Sequence, residues 1–191
     1  MVSNGPNLGR KPYIPLSRHI NIMIYQIGFM HRGEVIWDKS ASAGSSCAWG
    51  SFQSASNPCL RDVHEYLLVF SKGNYKLMRE KSERTEGRID TIPRDDFIHH
   101  TKSIWSFATE RASRVNHPAP FPVELPKRCI EMYSFAGDIV LDPFNGSGST
   151  CVAAKMTGRK YIGVDLSQEY CDIAQNRLDE VEAWTPPVVE V

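Results

Sequence analysis

The chain has 191 residues, 41% hydrophobic and 23% charged, which suits one α/β domain with a real core and hardly two. Its 22 basic residues balance 22 acidic ones, so there is no overall basic footprint of the kind a nucleic-acid binder usually shows. No apolar run approaches the roughly 18 residues of a membrane span, Met1 to Pro15 lacks a signal-peptide core, and five cysteines without a CxxC pair indicate neither a disulfide framework nor a metal site, so the chain reads as cytoplasmic.

Residues 1–14 are rich in Gly, Pro and Asn and read as loop. From Pro15 to Phe29 the apolar residues Leu16, Ile20, Ile24 and Ile27 fall at helical spacing, with Pro15 suited to a first turn and Gly28 to a C-terminal cap. Glu34 to Trp37 reads as a short strand, and Tyr66 to Phe70 as a buried one. The Ser/Ala/Gly-rich stretch between them, Ser40 to Arg61, is long for a loop in a compact domain, which marks it as functional or disordered. Trp49 and Phe52 within it favour order. Asn74 to His100 is polar and charge-mixed, and reads as a variable insertion. Ile104 to Phe107 reads as a strand and Asn116 to Pro122 as a Pro-rich loop.

From Val123 the pattern sharpens. Residues 123–135 predict a helix with Gly137 as its cap. Ile139 to Asp142 predicts a strand, Asn145 to Ser149 a glycine turn, Thr150 to Thr157 a helix stopped at Gly158, and Tyr161 to Asp165 a second strand. Ser167 is a good N-cap for a helix running to about Trp184, whose inner and flanking faces carry Tyr170, Ile173, Ala174, Arg177, Leu178 and Val181. The tail, 185–191, reads as flexible.

Strand, glycine turn, helix and strand in succession make half of a nucleotide-binding fold. Gly146 and Gly148 permit positive φ and a close backbone approach, and the helix start offers free N–H groups to a carboxylate or phosphate. Asp165 follows Gly146 by about 20 residues, the spacing at which an acid accepts hydrogen bonds from ribose hydroxyls. A dinucleotide site shares these features, but the third glycine is absent and Asp142 ends the first strand, where it would repel a pyrophosphate. S-adenosylmethionine carries a sulfonium and an ammonium that favour such an acid, and a carboxylate suited to the helix N-terminus. A tight turn with no ligand is the other reading that the residues leave open.

The run LDPFNGSGST resembles the DPFxGSGTT signature of the amino-group DNA methyltransferases, and YIGVDLSQEYCDIAQNRL is similar to that family's next segment. NHPAPFPVELPKRCIEMYS resembles the segment that precedes both in the permuted, β-type members. GEVIWDK and RDVHEYLLVFSKG resemble two strands on the target-base side, and NLGRKPYIPL the segment after the family's fifth strand. The resemblance implies an α/β, Rossmann-like S-adenosylmethionine-dependent methyltransferase fold, circularly permuted and missing central strands, as a single domain over 1–184. It implies that Asp142, Pro143 and Phe144 border the methionine part of the cofactor, that Gly146, Ser147 and Gly148 present backbone to it, that Asp165 binds the ribose, and that Phe121 and Pro122 sit near the methionine end. Ser149 stands where the family often has Thr. Residues 74–102 correspond to a variable region used in target recognition.

One departure matters. The family's (Asp/Asn/Ser)-Pro-Pro-(aromatic) motif, which holds the target amino group and stacks on the flipped base, is absent. Pro186-Pro187 follows a helix and lacks the flanking residues, while Asn57-Pro58-Cys59 and Asp142-Pro143-Phe144 do not replace the motif. The sequence therefore names no catalytic residue. His117 reads as a loop residue, Trp37, Trp49 and Trp105 as core, and His64-Glu65 as a surface pair at a strand edge. The expected activity is methyl transfer to an exocyclic amino nitrogen of double-stranded DNA, leaning to cytosine-N(4) over adenine-N(6), by a chain truncated at its N-terminus. The alternatives are a cofactor- or DNA-binding remnant, a subunit completed by a partner chain that supplies the missing strands, or a methyltransferase acting on RNA.

Overall fold

The computed structural model describes residues 14–42, 53, 60, 62–75, 88–110 and 121–186. The readings on Trp49, Phe52, Asn57, His117, Pro187 and most of the Ser40–Arg61 stretch lie outside the described residues. Packing groups the chain into two compact units, one built from Met1–Arg79 with Lys102–Ala108 and the other from Glu80–Thr101 with Thr109–Val191.

The first unit holds helix α1 (Leu16–Gln26) and strands β1 (Phe29–Asp38), β2 (His64–Lys72) and β3 (Ile104–Ser106), in the order β2-β1-β3. β1 runs antiparallel to β2 and parallel to β3. β1 is longer than the predicted Glu34 to Trp37, because Phe29, Met30 and His31 also pair with β2, across a register shift between His31 and Gly33. Gly28, at φ +94°, turns the chain out of α1 as expected. Trp37 and Trp105 sit opposite each other across β1 and β3 and are almost wholly buried, at 1% and 2% exposure. The Trp37 indole N–H donates to the Phe107 carbonyl at 3.0 Å, so both rings serve the core.

The second unit holds α2 (Arg94–His100), α3 (Glu124–Tyr133), β4 (Ile139–Asp142), α4 (Ser149–Met156), β5 (Lys160–Gly163) and α5 (Gln168–Asp179). β4 and β5 pair in parallel, Val140 opposite Tyr161 and Leu141 opposite Ile162. α4 makes the crossover between them. Its Ala153 and Ala154 are fully buried and pack with Ile130 of α3 and Val140 of β4, small side chains that let the helix lie close. Cys151, Val152 and Leu178 form the adjoining cluster, between α4 and α5. Ser167 caps α5, its hydroxyl accepting the Tyr170 N–H at 3.4 Å.

α5 stops at Asp179, short of the predicted Trp184, because the chain turns back: the Trp184 N–H donates to the Lys155 carbonyl at 3.3 Å and its ring lies against Gly158. Helix α2 falls in Asn74 to His100, the stretch read as a variable insertion. Its Asp95 and Asp96 stand in the first turn, where negative charge suits the helix dipole. Arg159 is buried at 3% exposure and holds the segment before α2 in place, with its guanidinium donating to the Thr91 hydroxyl and to the carbonyls of Thr157 and Ser134.

The face of β4 and β5 that points away from α4 is apolar and largely exposed. Ile139, Leu141, Ile162 and Val164 are exposed by half or more on it. Parallel strands are ordinarily covered on both faces. No described helix is long and apolar enough to cross a membrane.

Candidate functional site

The glycine turn of the second unit is assembled by backbone bonds between the ends of β4 and β5. Asp142 closes β4, and its carboxylate accepts the Phe144 N–H at 3.0 Å, an Asx turn. This turn sends Pro143 and Phe144 outward, and Phe144 is 86% exposed. The Val164 N–H then donates to the Asp142 carbonyl and the Asn145 N–H to the Val164 carbonyl, each at 2.9 Å. Asp165, just past β5, completes the closure. One carboxylate oxygen accepts the Gly146 N–H at 2.8 Å, and the other the Ser167 N–H at 3.0 Å.

Around the turn, Gly148 and Gly163 are dictated by contact. Gly148 adopts φ +84° at the start of α4, and a Cβ there would lie 2.7 Å from the Ala174 Cβ on α5. At Gly163 a Cβ would lie 2.5 Å from the Asn145 side-chain carbon. Asn145 is buried under the turn, where its Oδ1 accepts the Cys151 thiol at 3.1 Å. Burial, with the Asp142 carboxylate adding to it, pushes that thiol up to about 11. It stays protonated at neutral pH and acts as a donor, not a nucleophile.

Two further contacts frame the turn. The Ser149 hydroxyl donates to the Phe121 carbonyl at 3.0 Å, tying Phe121-Pro122 to the start of α4. From α5, Arg177 donates to the Ser147 carbonyl at 2.6 Å. The sequence reading singled out Asp142, Pro143, Phe144, Gly146, Ser147, Gly148 and Asp165, and all of them meet at the ends of β4 and β5. Phe121 and Pro122 join them through Ser149. The supporting roles of Asn145, Cys151 and Arg177 were not read. Arg177 showed only as a flank of its helix, although its spacing from Ala174 places both on one face.

The electrostatics follow from this placement. An acid ends each strand, Asp142 and Asp165 both part-buried, and the N-terminus of α4 carries positive partial charge between them. A ligand with a cation, a carboxylate and vicinal hydroxyls matches that alternation. Among the described residues no group of His, Cys, Asp or Glu is placed to hold a metal ion. In the first unit, Glu65 accepts an ion pair from Lys39 at 2.5 Å and the His64 ring meets Tyr66 edge-on at 4.9 Å. Hydrogen bonds from Ser40, hydroxyl first and then backbone N–H, hold the Asp38 carboxyl below its ordinary range.

Comparison with known proteins supplies the context. A family model described as DNA methylase matches residues 2–176. The type II methyltransferase M.MthZI of Methanothermobacter thermautotrophicus is 32% identical over 152 residues, which cover 76% of this chain and 42% of that protein. The orphan methyltransferase M.BamHII of Bacillus amyloliquefaciens is 34% identical over 142 residues, 61% of this chain and 54% of that protein. The chain thus spans about half the length of the curated relatives it matches. Among solved structures, a candidate DNA modification methylase of Thermus thermophilus, in complex with S-adenosyl-L-methionine, superposes with a TM-score of 0.69 at 28% identity, over 93% of this chain and 65% of that one.

Proposed function

Because this chain belongs to the DNA methylase family, shown by a match over residues 2–176, we propose that it binds S-adenosylmethionine and serves methyl transfer to an exocyclic amino nitrogen of double-stranded DNA. The observation that carries this reading is the closure of the turn: Asp165 at the end of β5 accepts the Gly146 N–H at 2.8 Å. That bond sets the glycine turn and the second acid in one piece. Asp165, an acid at the end of the second strand about 20 residues after the first glycine, is assigned the ribose hydroxyls. Asp142 and Phe144 border the cationic methionine end, Gly146, Ser147 and Gly148 present backbone to it, and Phe121 and Pro122 flank it.

The cofactor, when bound, supplies an electrophilic methyl group. This chain's residues contribute positioning, which supplies much of the catalysis in a direct displacement between oriented reactants. Cytosine-N(4) is favoured over adenine-N(6) by the Ser/Ala-rich sequence around Trp49 and by the flanking segments GEVIWDK and RDVHEYLLVFSKG. Residues 74–102 are assigned to target recognition, and the fold to the permuted arrangement, acting on DNA in the cytoplasm. Calorimetry tests the cofactor half directly. Wild type is expected to bind S-adenosylmethionine and Asp165→Ala at least tenfold more weakly, the loss of a charge-assisted hydrogen bond or two. A folded wild-type sample with no detectable heat would sink the reading.

A second reading has its own support. The Pro-Pro-aromatic motif is absent from the sequence, and among the described residues β4 and β5 pair only with each other, which leaves both edges of that sheet open to further strands. We propose that a partner chain supplying further strands completes the sheet and brings the catalytic loop, so that this chain alone binds cofactor without turning over. Robust methylation of mixed DNA by the isolated chain, followed with labelled cofactor, would overturn it.

A further inference from the structure

Arg177 lies on α5, outside the turn, and reaches it with one guanidinium nitrogen. Its Nη1 lies 2.6 Å from the Ser147 carbonyl oxygen, 3.2 Å from the Ser147 hydroxyl and 3.3 Å from the Ser149 hydroxyl. The Ser149 hydroxyl commits its own proton to the Phe121 carbonyl at 3.0 Å. Toward Arg177 it is therefore an acceptor, and the direction of the chain is settled: Arg177 to Ser149 to Phe121.

The same nitrogen fixes a peptide plane. The carbonyl of the Ser147–Gly148 peptide is held by Arg177, and the N–H of that peptide donates to the Asn145 carbonyl at 2.9 Å. A planar trans peptide pinned at both poles cannot rotate. Ala174, on the same face of α5, fills the space where a Gly148 side chain would be. One helix face thus shapes the turn by contact and grips it by hydrogen bonds.

We propose that Arg177 is a positioning residue for the methionine end of the cofactor: it holds the glycine turn and Phe121-Pro122 in the one arrangement that receives the amino-acid moiety. The proposal rests on the cofactor reading above. Arg177 bonds Ser147 and Ser149, whereas Asp165, assigned above to the ribose, bonds the N–H groups of Gly146 and Ser167. A preformed turn binds tighter because it loses less freedom on binding, and the benefit falls only on ligands that use the methionine end.

Paired titrations separate this role from general stability. S-adenosylmethionine and 5′-methylthioadenosine, which lacks the amino-acid moiety, are each titrated into wild type, Arg177→Met and Arg177→Lys, with thermal melts to verify folding. The expected result is about a tenfold loss of affinity for S-adenosylmethionine in Arg177→Met, the size of one hydrogen bond to a charged group, with 5′-methylthioadenosine within twofold of wild type. Arg177→Lys, which keeps a charged donor, is expected to fall between. Equal losses for both ligands, or none, would overturn the assignment of Arg177. Failure of wild type to bind either ligand would instead overturn the cofactor reading and this inference with it. Should Arg177→Met not fold, the ratio of the two affinities in Arg177→Lys decides: a ratio equal to wild type counts against the proposal.

Discussion

Gly148 shows how much one position is asked to do. It adopts a left-handed conformation, lies against Ala174 of α5 and opens α4. A Gly148→Ala substitution meets both the conformational penalty of about 1–2 kcal/mol and the overlap with Ala174. The expected loss is about 2–4 kcal/mol in unfolding free energy, read by urea titration. The thiols make a different kind of prediction. Burial pushes Cys129 and Cys151 up to about 11. Neither is expected to react with iodoacetamide at pH 8 in the folded chain, and both are expected to react once it is unfolded in urea, as peptide mapping would show. The linkage sign follows. A thiol whose folded pKa is raised supports the fold fully below its unfolded value, and that support is lost as pH climbs toward about 11.

Among the elements, α3 carries a carboxylate in an unfavourable place. Glu131 is buried at 6% exposure and pairs with Lys127 at 3.3 Å. Burial nonetheless raises its pKa, outweighing the opposing pull of Lys127. An acid with a raised folded pKa binds its proton more tightly in the native state, so it supports the fold at low pH and loses that support as pH rises through its folded value. Glu131→Gln removes the loss. The variant is expected to gain on wild type as pH rises from 4 to 7, in denaturant midpoints measured across that range. A constant difference between the two proteins would contradict the assignment.

Elements also show where the sequence was readable. β4 was legible residue for residue, because Ile139 to Asp142 is an uninterrupted apolar run closed by an acid before a glycine turn. The α4 crossover and the cap at Ser167 were legible for similar reasons of local chemistry. α2 was not, since Phe97 and Ile98 remain exposed and no apolar stripe marks the helix. The end of α5 was missed because Trp184 leaves the helix for a contact with Gly158, which no local pattern announces. At the site, the acids and glycines carried their signal in spacing. Asn145 and Arg177 did not, because their roles depend on which strand and which helix come to lie beside the turn.

At the scale of the whole molecule, the exposed face of β4 and β5 has a practical effect. Ile139, Leu141, Ile162 and Val164 form a contiguous exposed apolar surface, the kind that marks an interaction site or an aggregation hazard. The isolated chain is expected to self-associate at concentrations of about 10–100 μM, and a Leu141→Lys, Ile162→Glu variant to sediment as a monomer there. Sedimentation velocity across that range checks it, and a wild-type chain that stays monomeric throughout would argue that the face is covered in some other way.

The parallel pairing of β4 with β5 also bears on how the chain acquires its structure. Ile139 meets Lys160 across a short crossover, whereas Ile36 of β1 meets Ile104 of β3 only after a far longer excursion of the chain. Closing a short loop costs less entropy and happens sooner. The segment with the glycine turn is the one able to organise first on refolding, and Asp165 is joined to Gly146 within it. Pulsed hydrogen exchange would register this as earlier protection of the Ile162 amide than of the Ile36 amide, with the glycine-turn segment acting as a folding nucleus.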